Sequence, residues 1–315
     1  MREFLAIVGP TATGKTKLSV AVAKVLDAEI ICMDSRQGYV GMDIGTDKVS
    51  KEIRRAVPHH GFDVRSPKAS YSAGQFARDA SGWIKEIKDR VRVPILVGGT
   101  GLFLRSITNP IFSEPDVEEA RKRAIRQFLA VFPKEKMERW VKTLDPDRAG
   151  IAIQGGPQRL SRTIEMPLLT GRPLSWWHKN GIPNRQPLRG MVVVIEVPRE
   201  VLNARINKRV DQMIEEGLVE EVQNLLNTGF EIGDPGMTGT GYREIVNYLK
   251  GDCSLEQALE KMKMATRRYA RRQVTWFKNQ QEAGTLRIDG TKSLEIQRSR
   301  ILTKWAKTDE MEFDI

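Results

Sequence analysis

Phe4-Leu5-Ala6-Ile7-Val8-Gly9-Pro10-Thr11-Ala12-Thr13-Gly14-Lys15-Thr16 is the stretch that decides the fold. Five consecutive apolar residues fit a strand buried on both faces of a parallel sheet. The next eight match G-x-x-x-x-G-K-[ST] at every fixed position, and Leu18, Val22, Val25 and Leu26 then recur at helical spacing. Strand, glycine-rich loop and helix in that order make a phosphate cradle. Glycines let backbone N–H groups curl around an anion, and the helix N-terminus adds partial positive charge. Gly9, Pro10, Thr11, Ala12, Thr13 and Gly14 form the candidate loop. Lys15 would reach the terminal phosphate, and the Thr16 hydroxyl would hold Mg²⁺. The motif predicts a bound phosphate or pyrophosphate and leaves the reaction open.

Further along the chain, Glu29-Ile30-Ile31-Cys32-Met33, Val93-Pro94-Ile95-Leu96-Val97 and Met191-Val192-Val193-Val194-Ile195 read as more strands. Strands alternating with amphipathic helices predict an α/β fold, a P-loop NTPase-like parallel sheet with flanking helices. Between about Ser113 and Arg189 strand-like runs vanish. Helical segments appear there around Glu118 to Val131, Glu135 to Leu144 and Gln158 to Leu169, with fifteen Lys and Arg against nine Asp and Glu. Residues 113–189 therefore read as a basic helical insertion. Residues 1–112 and 190–315 read as the catalytic domain, whose later part is helical and ends in a polar tail.

The whole chain of 315 residues has 51 Lys and Arg against 40 Asp and Glu, a net charge of +11. With 40% hydrophobic and 29% charged residues it is a globular composition, not a disordered one. No apolar run approaches the roughly 20 residues of a membrane span. The first strand breaks at Gly9-Pro10, too early for a signal-peptide core. Two cysteines and three histidines argue against a disulfide scaffold or a Cys/His zinc site, and the default compartment is a reducing cytoplasm. The charge suggests a polyanionic partner, although solvated lysines would produce the same number.

Candidate chemistry gathers at strand ends. The second strand runs into Asp34-Ser35-Arg36-Gln37. Ligands of doubly wound sheets lie beyond the carboxyl ends of the strands, so Asp34 should sit near the phosphate loop. There it would hold Mg²⁺ or act as a general base, unless it only caps a turn. Gly98-Gly99-Thr100-Gly101 follows another strand, and its glycines permit close approach while Thr100 offers a hydroxyl. Residues 261–280 hold seven Lys or Arg and no acid, with Arg267, Arg268, Arg271 and Arg272 in a stripe. Phosphate contact competes there with a solvated face, and Trp276 and Phe277 read as core. In the insertion, Gln158, Arg159 and Arg162 share a face. Arg205 and Arg209, four apart, either point at the phosphate loop or pair with Glu200 or Asp211.

Taken together the motifs resemble the tRNA dimethylallyltransferases, also called tRNA isopentenyltransferases. The resemblance rests on Gly9 to Thr16, Asp34-Ser35, Gly41-Met42-Asp43-Ile44-Gly45-Thr46, Pro58-His59-His60, Tyr71-Ser72 and Gly98-Gly99-Thr100-Gly101-Leu102. It continues through Gln158-Arg159-Leu160, Gly241-Tyr242, Arg271-Arg272-Gln273 and Thr275-Trp276-Phe277. Gly38, Phe103 and Thr240 depart from the residues usual in the family. The resemblance implies transfer of a dimethylallyl group from its pyrophosphate, with Mg²⁺, to the exocyclic amine of the adenine beside the anticodon. It implies Asp34 as proton acceptor, Thr100 orienting base or donor, and Lys15 with Arg209 and Arg205 on the pyrophosphate. The tRNA anticodon stem-loop would meet Asp34, Ser35, Arg36, Gln37 and Thr100. In the insertion it would meet Arg121, Arg123, Gln158, Arg159, Leu160, Ser161 and Arg162, and beyond it Arg268 and Arg272. A cytoplasmic monomer without membrane contact is expected.

Three other readings share parts of this pattern. A P-loop small-molecule kinase would use the same loop for ATP. An adenylate isopentenyltransferase would run the same chemistry on a free nucleotide, with little use for a basic insertion. An RNA-binding module would bind without turnover.

Overall fold

A computed structural model describes residues 2–110, 112, 116–183, 185–279 and 284–313. The chain begins β1 (Phe4–Val8), α1 (Lys15–Leu26), β2 (Ala28–Cys32), α2 (Lys51–Ala56), β3 (His59–His60), α3 (Ala73–Asp89), β4 (Val93–Gly98) and α4 (Gly101–Thr108). Five helices follow: α5 (Glu119–Ala130), α6 (Lys134–Leu144), α7 (Pro146–Gln154), α8 (Pro157–Thr170) and α9 (Leu174–Asn180). It ends with β5 (Gly190–Glu196), α10 (Arg199–Glu215), α11 (Leu218–Asn227), α12 (Tyr242–Leu249), α13 (Leu255–Asn279), β6 (Leu286–Asp289) and α14 (Leu294–Phe313).

One parallel sheet runs in the order β3-β2-β4-β1-β5-β6. β1 is central and every residue of it is buried. Phe4, Ala6 and Val8 enter a cluster with Phe76, Ala80 and Ile84 of α3 and with Phe103 and Ile107 of α4. Leu5 and Ile7 face the other way, into Leu18 and Val22 of α1 and Ile301 of α14. Side chains of a strand alternate between faces, so a strand covered on both sides needs an unbroken apolar run. Parallel pairing also brings every strand's carboxyl end to one edge of the sheet. The sheet is wound in opposite directions on the two sides of β1, the topological switch point where ligands bind.

Four elements carry no clear signal in the sequence. β3 has two residues and β6 four, too short for periodicity, and both are edge strands. α7 and α9 have nine and seven residues and begin at or just after a proline. The expected polar tail is instead the helix α14, whose Ile301, Leu302 and Trp305 pack on the α1 side of the sheet. Apolar residues scattered among the charged ones of this helix give a faint pattern.

The chain divides into two compact units, Met1–Thr108 with Leu188–Ile315, and Asn109–Pro187. The second unit begins four residues before the expected 113 and ends two before the expected 189, and residue 113 falls outside the described residues. The second unit closes on its own core of Leu129, Met137, Val141, Ala149, Ala152, Leu160 and Ile164. Leu160, expected at the RNA, is fully buried there. That expectation is corrected: its side chain holds α8 to its neighbours.

Pro58-His59-His60 is structural. The buried Glu29 carboxylate accepts from Arg90 at 2.9 and 2.8 Å and bonds His60 Nε2 at 2.7 Å. The Arg90 hydrogen bonds hold its pKa down at about 2, against the opposing push of burial.

Candidate functional site

The phosphate loop leaves β1 and enters α1 at Gly14. The Thr13 hydroxyl donates to the Pro10 carbonyl at 2.9 Å, which holds the loop curled. Lys15 Nζ folds onto the same carbonyl at 2.6 Å. Burial lowers its pKa to about 8; Asp34 pulls it back up, Arg209 lowers it and Asp47 raises it. Those three charges are therefore the near neighbours of the Lys15 ammonium. The fold brings the loop, the β2 end and an arginine of α10 to one place.

Asp34 follows β2 by two residues. One carboxylate oxygen accepts the Arg36 N–H at 2.8 Å in an Asx turn, which fixes the side chain. β2 and β4 close tightly here: a Cβ on Gly98 would lie 1.9 Å from the Met33 carbonyl oxygen. That closeness lets Thr100 Oγ1 accept the Ser35 N–H at 3.1 Å. The Thr100 side chain also hydrogen-bonds Tyr269 of α13, whose pKa is pushed up to about 12 by burial and by Asp34. The ends of three adjacent strands thus bring the Asp34 carboxylate, the Thr100 hydroxyl and Lys15 near one another, with the Tyr269 hydroxyl of α13 against Thr100.

The matches with known proteins agree along nearly the whole chain. A family model described as IPP transferase matches residues 37–280, and one described as isopentenyl transferase matches residues 2–56. The tRNA dimethylallyltransferase of Thermoanaerobacter sp. (strain X514) is 39% identical over 305 residues, covering 95% of this chain and 96% of its own. The tRNA dimethylallyltransferase of Geobacillus thermodenitrificans is 42% identical over 280 residues, 88% of each chain.

The chain belongs to the tRNA dimethylallyltransferase family.

Solved structures concur. The full-length tRNA isopentenylpyrophosphate transferase from Bacillus halodurans superimposes with a TM-score of 0.72 at 34% identity, covering 99% of this chain and 100% of that one. A eukaryotic dimethylallyltransferase acting on tRNA gives a TM-score of 0.77 at 25% identity, over 92% of this chain and 74% of that one.

Within this family frame the other expected residues divide. Arg209 bonds Asp47 Oδ2 at 3.1 Å, and its buried Nε has no partner among the described residues. Arg205 instead donates to the Gly290 carbonyl at 3.2 Å. Neither pairs with Glu200 or Asp211; Asp211 pairs with Lys263. The expectation for Arg205 is corrected: one helical turn from Arg209, it is tied to the turn after β6.

Arg36 reaches the Pro235 and Gly236 carbonyls and the Thr238 hydroxyl. Gln37 donates to the Thr46 and Asp47 carbonyls at 2.9 Å each and accepts from Cys32 Sγ. Its side chain serves the loop that carries Asp47. That loop is pinned further by Glu221, which accepts the N–H groups of Asp43, Ile44 and Gly45 and the Tyr242 hydroxyl. This network accounts for Gly41 to Thr46 and for Gly241-Tyr242 as motif pieces.

The α13 stripe does not act as one face. Arg267 bonds Asn207 Oδ1 at 2.5 Å. Arg268 and Arg271 line a groove of about 340 Å³ with Arg199, Met264 and Val274. Arg272 lies over the Tyr269 ring at 5.8 Å. Trp276 and Phe277 join the core, as expected.

In the insertion Arg121 donates to the Leu168 carbonyl at 3.1 Å, and Arg162 with Arg126 holds the buried Glu165. Arg123, Gln158 and Arg159 are exposed, and Ser161 is half-buried. Arg123 and Arg159 have no ion-pair partner among the described residues. Tyr269, Asp47, Glu221 and the Gln273 side chain were missed as site residues. Only Gln273 and the glycine-flanked loop carried a sequence signal, as motif pieces without a role.

For Mg²⁺ the donor set is thin and fits that ion. The described residues contain no group of three His, Cys, Asp or Glu able to cage a metal. Mg²⁺ is commonly held through one or two protein oxygens plus substrate phosphates. The Thr16 hydroxyl, which makes no hydrogen bond among the described residues, and a bound pyrophosphate would supply that set.

Proposed function

We propose that the chain transfers a dimethylallyl group from dimethylallyl pyrophosphate to the exocyclic amine of the adenine next to the anticodon in tRNA. The observation that carries this is Asp34 beside a Lys15 phosphate loop, with Thr100 on the adjoining strand end. The adenine nitrogen lone pair bonds to the allylic carbon while the C–O bond breaks. Its electron pair leaves with the pyrophosphate. The proton released from the amine passes to Asp34, a step that carries roughly 10²–10⁴-fold in rate.

Lys15, the loop N–H groups and Arg209 would stabilise the charge that grows on the leaving group. Thr16 would help hold Mg²⁺, which would supply further charge neutralisation when bound. Thr100, fixed by Ser35 and Tyr269, would orient the base. The adenine must leave the anticodon-loop stack to reach this pocket. Arg121, Arg123, Gln158, Arg159, Ser161 and Arg162 of the insertion, with Arg268 and Arg272, would contact the RNA backbone, acting in a monomer. Arg123 and Arg159 are the most available of these. No helix among the described residues is long and apolar enough to cross a membrane. The cytoplasm, where tRNA is found, is the proposed location.

The test is acceptor choice. Anticodon stem-loop RNA and AMP are each incubated with dimethylallyl pyrophosphate and Mg²⁺, with labelled ATP as a third arm. Prenylation of the RNA alone is expected. Prenylated AMP without prenylated RNA, or phosphoryl transfer from ATP, would overturn the reading.

A further inference from the structure

Gln273 lies on α13, one turn beyond Tyr269, and is 5% exposed. Both ends of its amide are engaged, each by a different loop of the site. Oε1 accepts the Thr11 N–H of the phosphate loop at 2.9 Å. Nε2 donates to the Gly99 carbonyl at 2.9 Å, next to Thr100. The approach is so close that a Cβ on Gly99 would sit 2.1 Å from Nε2. α13 itself is held on both sides of this point, by Met262 in the cluster under α11 and α12 and by Phe277 in the sheet core. A single amide on a fixed rod therefore spans the loop that takes the pyrophosphate and the loop that carries Thr100.

We propose that Gln273 is a positioning residue that sets the spacing between the phosphate loop and the Thr100 loop, so that the allylic carbon and the adenine amine meet in line. The inference rests on the prenyl-transfer reading of the same site. A primary amide accepts on one side and donates on the other with no charge at any pH in the working range. Gln273→Met keeps the length and loses both bonds. Gln273→Glu keeps the acceptor for Thr11 but, when ionised, turns a second acceptor toward the Gly99 carbonyl. When protonated it restores the donor. Burial raises the pKa of such a carboxyl, which brings the change into a measurable range.

The experiment measures single-turnover prenyl transfer at saturating stem-loop RNA and dimethylallyl pyrophosphate, with equilibrium binding of RNA and of inorganic pyrophosphate measured separately. Misplacement by about 1 Å is worth about a hundredfold in rate. Gln273→Met should lose about that much at every pH, while both Kd values stay within about threefold. Gln273→Glu should match that loss at about pH 8.5 and recover relative to the parent as pH falls toward about 5.5, the range of a raised carboxyl pKa. Taking the ratio to the parent removes the protonation of Asp34 from the comparison. If Gln273→Glu does not fold, the rate-against-binding split of Gln273→Met decides the matter alone. Parental single-turnover rates in Gln273→Met, or Kd values that rise as far as the rate falls, would overturn the proposal. A parent that prenylates no RNA would instead overturn the functional reading.

Discussion

The two units use arginine in opposite ways. Around the phosphate loop nearly every cation has an assigned contact: Lys15 on Pro10, Arg209 on Asp47, Arg36 on residues 235–238, Arg205 on Gly290. In the insertion, Glu165 accepts from both Arg126 and Arg162, while Arg123 and Arg159 stand exposed, with no ion-pair partner among the described residues. A group that stabilises a transition state must be fixed before the substrate arrives, because reorganisation during the reaction raises the barrier. A group that grips a polyanion needs only to be cationic and exposed, since counterion release supplies much of the affinity. On the proposed function, chemistry and grip should therefore be separable in this chain.

The hardest test of that separation is Asp34→Ala. Single-turnover transfer should fall by roughly 10²–10⁴-fold, the range of general-base catalysis, with RNA affinity unchanged. Parental rates would remove Asp34 from the mechanism.

Lys15 brings pH into the contrast. Its pKa in the free enzyme is lowered to about 8, so the ammonium is present below that pH and lost above it. Pyrophosphate affinity should therefore weaken above about pH 8, by up to tenfold per pH unit for one proton. Lys15→Arg should lose that breakpoint, because a guanidinium stays charged. RNA affinity should not show the same breakpoint; a shared one would mean the loop serves both substrates.

Neutralising Arg123 and Arg159 together should weaken stem-loop binding. It should also flatten the salt dependence, by a slope of roughly 0.7 to 0.9 for each phosphate left without its arginine. Pyrophosphate binding should not change. A salt slope equal to the parent's would take the insertion out of RNA binding.

The smallest expected effect lies away from both roles. Glu29 has its pKa depressed to about 2, so its share of stability is present above the unfolded carboxylate pKa and is lost as pH falls toward 2. Glu29→Gln should lower stability near pH 7 by about 2–3 kcal/mol, and the gap should narrow progressively below about pH 4.5. Urea unfolding at several pH values measures it. A gap that stays constant with pH would show that packing, not charge, carries the effect.

The phosphate loop was legible because its determinants are local: strand, turn and helix are contiguous. Asp34 and Thr100 were legible by a single topological rule, that strand ends converge. Tyr269 was not, because its position in the pocket depends on how α13 packs some 170 residues downstream of Thr100. Arg205 and Arg209 look equivalent in sequence, one turn apart on α10, yet they part company over contacts with Gly290 and Asp47 that no periodicity encodes. Leu160 was misread because it sits inside a motif; its neighbours Gln158 and Arg159 are exposed, while the helical phase turns Leu160 into the core.

One crossed measurement decides the division of labour. Single-turnover prenyl transfer is followed for the parent, for Asp34→Asn and for the Arg123→Ala, Arg159→Ala double variant, all saturated with stem-loop RNA and dimethylallyl pyrophosphate. The double variant, once saturated, should match the parent, while Asp34→Asn should stay slower by roughly 10²-fold or more at any RNA concentration. A double variant that remains slow at saturation, or an Asp34→Asn that reaches the parental rate, would contradict the division.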